Sequence, residues 1–421
     1  METKNLGFRR NAQEEAILGE MRVKDALSQA NVTTPAYIYD VGAMAASATE
    51  AARAFGTQRG FIAYAVKANS AATVIRAITS AGAGADVVSG GELALALTCQ
   101  VPKERIVMSG VAKSDREIEL AISSGILALQ VESVEELSRV SARAQALGTQ
   151  ARVSLRLNPN VRFETHSHIA TGHDAAKFGI ALSDVPAAFE LIDRHSLTLQ
   201  AVGISTHVGS MLTSPAPYLE AARIVCDVAK ARQAAAGPLS FCDFGGGFGI
   251  SYGEASCPPI SDYIRAACAL LKEYGLDVQL IAEPGRSLVG SFGVLVAQVL
   301  SEKHASGRRW LMIDAGMNDL IRPALYGARH RVEPLSGLPG LVEWKVVGPV
   351  CESSDDFGVH PFGEGAPSHV VVRDAGAYGF VMASQYNGRA LPAEVFVKDG
   401  QIIAVSQAES PEAWVRRRAQ A

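Results

Sequence analysis

The chain has 421 residues, 48% of them hydrophobic and 19% charged, with a formal net charge of −4. At roughly 100–200 residues per domain, that length holds a sizeable core without disulfide staples, as two or three domains or as one large barrel plus a smaller module. The charge balance excludes the basic footprint of a nucleic-acid binder and the polybasic signal of a membrane-surface protein.

The N-terminal stretch METKNLGFRRNAQEEAILGE lacks the apolar core of a signal peptide. No later segment reaches the roughly 18 uninterrupted apolar residues of a membrane span. The expectation is a cytoplasmic protein, in which the Asn31-Val32-Thr33 sequon carries no sugar. Cys99, Cys226, Cys242, Cys257, Cys268 and Cys351 form no C-x-x-C pair. They read as reduced thiols, with neither a disulfide framework nor a metal site expected.

The early run PAYIYD reads as a strand. From about residue 60 to 285, short apolar runs alternate with Ala/Leu/Glu-rich stretches of helical spacing. FIAYAV, ADVVS, RIVMSG, LALQVES, RVSLRLN, LQAVGISTHV, LSFCDFGGG and VQLIAEPG read as buried strands. Ser114 with Glu117 and Ser133 with Glu136 match capping boxes, and Ser183 ahead of Pro186 marks another helix start. This alternation predicts parallel sheet, and eight strands suit a (β/α)8 TIM-like barrel. A doubly wound sheet would show a G-x-G-x-x-G turn; at Gly245, Gly246, Gly247 and Gly249 that spacing fails, because Ile250 and Tyr252 occupy the required positions.

After about residue 290 the texture turns β-rich, in GVLVAQVLSEKH, RRWLMIDAG, VEWKVVGPV, SHVVVRDAG and AEVFVKDGQIIAV, joined by Gly, Pro and Asp turns. The fold expected is α/β, a barrel over residues 41–288 with an all-β domain built from 1–40 and 289–421. PAYIYD joins that domain from the other chain end, and the tail ESPEAWVRRRAQA reads as a short surface helix.

Strand ends supply the candidate chemistry. Lys67 closes FIAYAVK, where barrel active sites are built. Alone, such a lysine more often just ends a strand at the surface; desolvated, it becomes a nucleophile. The glycines after SFCDF leave backbone N–H groups open to an anion, or serve only a tight turn. Glu283 ends VQLIA, where a carboxyl can hold a proton on a ring nitrogen, or simply be a solvated strand end. Arg286 offers a planar fork for a carboxylate. His207 follows a strand; a lone histidine is more often a satisfied core or loop residue, and its ring can also stack on an aromatic cofactor. Cys351 by default is a buried structural thiol. Its neighbours Glu352, Asp355 and Asp356 suit a proton donor better than a nucleophilic thiolate.

In order, the segments YAVKAN, GADVVSGGEL, LRLNPN, THSHIATGHDAAKFGI, HVGS, DFGGGFGISY, EPGRSLVG, DAGMNDLIRPALYGARH, CESSD, DAGAYGF and QYN span residues 64–387. Together they resemble the alanine-racemase-like, fold-III family of pyridoxal-phosphate decarboxylases. The resemblance implies that Lys67 is the Schiff-base lysine of pyridoxal 5'-phosphate, Glu283 the partner of the pyridine nitrogen and His207 the residue against the ring. Ser210, Gly246 and the start of Glu283-Pro284-Gly285-Arg286 match the phosphate cradle, with Tyr386 a further contact. Asp86 and Arg156 match supports around the cofactor. Arg286, Arg322, Tyr326 and Tyr386 match residues that bind substrate. Cys351 and Glu352 match a pair lent by the neighbouring subunit of a homodimer, Cys351 as the proton donor.

Within the family, MNDLIRPALYGARH resembles the signature of members that convert meso-2,6-diaminopimelate to L-lysine and carbon dioxide, the last step of lysine biosynthesis. A distal amino-acid group asks for cations and a carboxylate together, which Arg286, Arg322 and Glu352 provide. Decarboxylation of ornithine, lysine, arginine or a carboxynorspermidine-type substrate remains the alternative, and an amino-acid racemase a more distant one. The chain departs from the family at Ser354, where glycine is usual, at the loop residues Asp356-Phe357-Gly358 and at NGRALPAEV.

Overall fold

Runs rich in apolar residues make strands buried on both faces. Eight of them close a parallel barrel in the computed structural model of the chain, which describes residues 7–161, 177–253 and 256–420. The strands are β1 (Gly60–Ala65), β2 (Gly84–Val87), β3 (Ile106–Met108), β4 (Ala128–Val131), β5 (Ala151–Asn158), β6 (Leu199–Thr206), β7 (Phe241–Gly246) and β8 (Gln279–Glu283). Each pairs with the next, and β8 closes onto β1 with Ile281 opposite Phe61. Every run read as a barrel strand is one. Within the family motif THSHIATGHDAAKFGI, residues 165–176 lie outside the described residues.

Phe61, Ala63, Val107, Ala128, Val202, Phe241 and Ile281 form an apolar cluster in this unit. The strands' other inward positions are polar: Asp86, Gln130, Ser205, Asp243 and Glu283 are all at most 5% exposed. Such groups survive burial only when hydrogen-bonded to one another, and that requirement produces the network described below.

The helices start largely where their caps indicate. Ser114 and Glu117 make a reciprocal capping box at helix Asp115–Ser124. At helix Val134–Ala146 the box is half made: Ser133 accepts from the Glu136 N–H, but the Glu136 carboxylate takes the Glu132 N–H at 2.7 Å and buried Lys113 at 2.9 Å. A buried ammonium draws the carboxylate more strongly than the cap N–H does. Ser183 does not start its helix; it sits in the 3₁₀ turn Leu182–Asp184, and the α-helix begins at Val185 with Pro186 in its first turn. Among the described residues no helix is long and apolar enough to cross a membrane, and the six cysteines are free thiols.

Contacts divide the chain into one unit of Ala45–Ile250 with Ser256–Ser287 and another of Met1–Met44, Ser251–Ala255 and Leu288–Ala421. In the second unit the long strand Gly293–Ala305 is the spine. Ala36–Asp40 from PAYIYD pairs antiparallel with it and parallel with Ala393–Lys398, joining both chain ends in one sheet. The core holds Ile38, Val294, Val296, Val371, Val395 and Val397. The tail helix Pro411–Ala419 is capped by Ser410 and has no buried residue. Asp356-Phe357-Gly358 is not a loop: it opens strand Asp356–Phe362, with a register shift between Val346 and Val347 of its partner and Gly358 at φ +99°. An irregular, glycine-bearing strand start reads as a loop when only its sequence is seen.

Two buried carboxyls in this unit set a stability profile. Burial pushes Asp319 and Glu394 up to about 7, although Asp319 accepts the Gly316 N–H at 2.9 Å and Glu394 the Tyr39 hydroxyl at 3.1 Å. A folded-state value raised above the ordinary 3.8 or 4.5 means stability fully present below about 4 and lost as pH rises through 7. Tm therefore falls between pH 4.5 and 8, and Glu394→Gln flattens part of that slope; an unchanged slope in calorimetric scans would remove Glu394 from the account.

Candidate active site

The site in the barrel starts from Lys67. β1 runs out into the 3₁₀ turn Val66–Ala68, and the Lys67 side chain is one-third exposed while its neighbours Val66 and Ala68 are buried. Its Nζ meets Asp86 Oδ2 of β2 at 2.6 Å, and Asp86 is fully buried. Burial alone would raise the Asp86 carboxyl; Lys67 and the Ser109 hydroxyl, which donates to Oδ1 at 2.7 Å, hold it below its usual value. Pro284-Gly285 pack onto the same turn: the Ala65 N–H donates to the Pro284 carbonyl at 3.1 Å, and a Cβ on Gly285 would stand 3.0 Å from those of Ala65 and Ala68.

A polar layer crosses the barrel from there. Gln130 of β4 donates through Nε2 to Asp243 Oδ2 at 2.8 Å and to Glu283 Oε1 at 3.1 Å. Its Oε1 accepts from Ser205 at 3.0 Å and lies 3.2 Å from the Ser109 hydroxyl. One polar layer thus runs from Lys67 and Asp86 past Ser109 and Gln130 to Glu283. Burial raises both Asp243 and Glu283; Glu283 rises well above the carboxylate range because Asp243 and Asp86 stand near it.

His207 follows β6. Its Nδ1 accepts the Gly246 N–H at 3.3 Å and lies 3.9 Å from Glu283 Oε2. Burial, with Arg156 and Lys67 nearby, pushes the imidazole down to about 3. The ring is neutral, a flat surface without charge. The glycine turn is dictated by close approach: a Cβ on Gly246 would come 1.9 Å from the Glu283 carbonyl, and Gly245 has φ +71°. Arg286 is buried and donates from Nη2 to the Ser210 hydroxyl at 3.0 Å. Arg156 donates to Glu132 at 2.6 Å, and Glu132 also accepts the Gly179 N–H at 2.8 Å.

The other unit carries the remaining candidates. Arg322 opens the short helix Arg322–Tyr326 and is buried; Tyr326 closes it before Gly327. Cys351 and Glu352 are exposed. The Cys351 N–H donates to Asn387 Oδ1 at 3.0 Å, and the half-exposed Tyr386 hydroxyl donates to Glu352 Oε1. The acidic neighbours expected around the thiol are engaged elsewhere: Asp355 accepts the Met317 and Val350 N–H groups at 2.6 and 2.7 Å, and Asp356 pairs with Lys345 at 2.5 Å. Ser354 turns its hydroxyl toward the Met317 thioether, 3.7 Å away.

Neither Gln130 nor Ser109 stands out in the sequence, and Asp243 does so only inside a motif. A polar residue in the middle of the apolar run LALQVES was the available signal for Gln130.

The donor set fits pyridoxal phosphate. It offers an amine beside a buried carboxylate, a second buried carboxyl, a neutral flat imidazole, and a hydroxyl and a guanidinium suited to an anion.

The comparisons agree. Residues 41–290 match the family model described as pyridoxal-dependent decarboxylase, pyridoxal binding domain. A curated diaminopimelate decarboxylase of Helicobacter pylori is 39% identical over 383 residues, 90% of this chain and 94% of that protein. The crystal structure of the Helicobacter pylori diaminopimelate decarboxylase complexed with L-lysine superposes with a TM-score of 0.88 at 38% identity, covering 94% of this chain and 99% of that one. That of the M. jannaschii enzyme in co-complex with L-lysine gives 0.91 at 30% identity, covering 98% and 97%.

Proposed function

The chain belongs to the pyridoxal-dependent decarboxylase family, and on that premise we infer that it removes one carboxylate of meso-2,6-diaminopimelate as carbon dioxide and releases L-lysine, ending lysine biosynthesis. The observation that carries the reading is Lys67 on Asp86, joined by one buried polar layer across the barrel to Glu283.

Pyridoxal 5'-phosphate, when bound, supplies the electron sink for the bond between the α-carbon and its carboxylate. Lys67 anchors it covalently through its amine, and Asp86 keeps that amine oriented. Glu283 holds a proton at the ring nitrogen, and His207 lies against the ring. Ser210, Gly246, Pro284-Gly285 and Tyr386 receive the phosphate. Arg286, Arg322 and Tyr326 bind the carboxylate at the far end of the substrate and Glu352 its ammonium, which fixes the end that reacts. Cys351 delivers a proton to the α-carbon.

Cys351 and Glu352 are exposed on the single chain, and a general acid works best where water is excluded. The reading therefore includes a homodimer whose partner covers this loop and shares the site. Free thiols and the biosynthetic role support a cytoplasmic location.

The test is carbon dioxide release by the purified holoenzyme from meso-diaminopimelate, ornithine, lysine and arginine. Release from diaminopimelate alone is expected. Faster release from ornithine or arginine would overturn the substrate assignment and leave the reaction type intact.

A further inference from the structure

Arg322 is 5% exposed, and the side chains of His330 and Tyr252 pack against its guanidinium. Its Nη1 lies 2.6 Å from His330 Nε2. An arginine only donates, so Nε2 is the acceptor. His330 Nδ1 lies 2.8 Å from the Arg373 carbonyl oxygen, which only accepts, so Nδ1 carries the proton. The two partners thereby fix His330 as one neutral tautomer. Tyr252 completes the group: the guanidinium sits over its ring, 4.6 Å from the centroid, and the His330 ring meets it nearly edge-on, 5.1 Å away at 75°. His330 is 2% exposed and Tyr252 9%.

We propose that His330 is a positioning residue for substrate selection: with Tyr252 it fixes the Arg322 guanidinium in the orientation that receives the carboxylate at the far end of the substrate. This rests on the role given to Arg322 under Proposed function. The chemistry of the holder matters. A carboxylate in place of His330 would also fix Arg322, but it would neutralise the cation and compete with the substrate for it. A neutral imidazole holds the fork without itself neutralising it. The acids on neighbouring residues are engaged with other arginines: Glu333 pairs with Arg373 at 2.9 Å and Arg10 at 3.0 Å, and Asp374 lies 3.4 Å from Arg331. An arginine left loose must be ordered at each binding event, which weakens binding without altering the reacting end.

The experiment uses the holoenzyme, with diaminopimelate as substrate and two competitive inhibitors that differ by one group. L-lysine keeps the far carboxylate, and cadaverine lacks it. His330→Leu is expected to raise KM for diaminopimelate and Ki for L-lysine by about tenfold, with kcat changed less than about twofold. Ki for cadaverine and the visible absorbance of the cofactor stay as in the native enzyme. His330→Gln, whose amide oxygen reaches the Nε2 position, restores most of the affinity. Should the leucine variant fail to fold, His330→Asn, with its acceptor displaced, supplies the same contrast. An unchanged Ki for L-lysine, or equal rises for both inhibitors, overturns the proposal. Arg322→Gln separates the two levels. If it raises Ki for L-lysine and the His330 variants do not, only the positioning role falls; if it too has no effect, the role of Arg322 falls instead.

Discussion

Lys67→Ala is expected to yield a colourless protein whose turnover is lower by on the order of 10³-fold or more, the scale for removal of a covalent group. The geometry explains both losses. Lys67 stands alone among its immediate neighbours in presenting a side chain outward from the 3₁₀ turn, and its Nζ is aimed by the fully buried Asp86 at 2.6 Å. Alanine removes the anchoring amine and leaves Asp86 as a buried carboxylate without its cation, a loss that also costs stability. Borohydride reduction of the native enzyme should fix the cofactor mass on the peptide containing Lys67. An alanine variant that still forms a reducible adduct would sink the assignment. Asp86→Asn separates orientation from attachment: it retains a reducible bond to Lys67 and binds the cofactor more weakly.

Much of the barrel was legible because its strands are buried on both faces, so runs such as FIAYAV are apolar throughout and stand out from amphipathic helices. Lys67, Glu283 and His207 were legible because they end such runs. The polar layer was not. Gln130 matters only because β3, β4, β6, β7 and β8 aim Ser109, Gln130, Ser205, Asp243 and Glu283 at one point, a convergence that no local pattern encodes. The same holds for Arg322, which the sequence offered as a cation for substrate without showing that His330 and Tyr252 hold it. In the sequence Tyr252 spoils a dinucleotide motif and ends the segment DFGGGFGISY, with no role of its own. Local signals failed where tertiary contacts outbid them, as when buried Lys113 took the carboxylate of Glu136 from its cap. They failed too where irregular backbone resembled a loop, as at Asp356-Phe357-Gly358.

Cys351→Ala is expected to keep the cofactor colour and lose about 10²–10⁴-fold in kcat, the range for a positioned general acid. Its loop is held from below: Asp355 clamps the Val350 and Met317 N–H groups, and Asn387 receives the Cys351 N–H. Alanine leaves those backbone contacts in place, so the variant tests the thiol and not the loop. Because the thiol is exposed on the single chain, its role requires a covering partner. Mixing the inactive Lys67→Ala and Cys351→Ala proteins under conditions that exchange subunits then restores activity. A hybrid dimer holds one site with both defects and one with neither, so random exchange recovers about a quarter of native turnover. If each chain completed its own site, both sites of every hybrid would keep one defect and mixing would restore nothing. Full activity of Cys351→Ala alone would instead remove the thiol from the reaction and leave the proton to another group on the same loop.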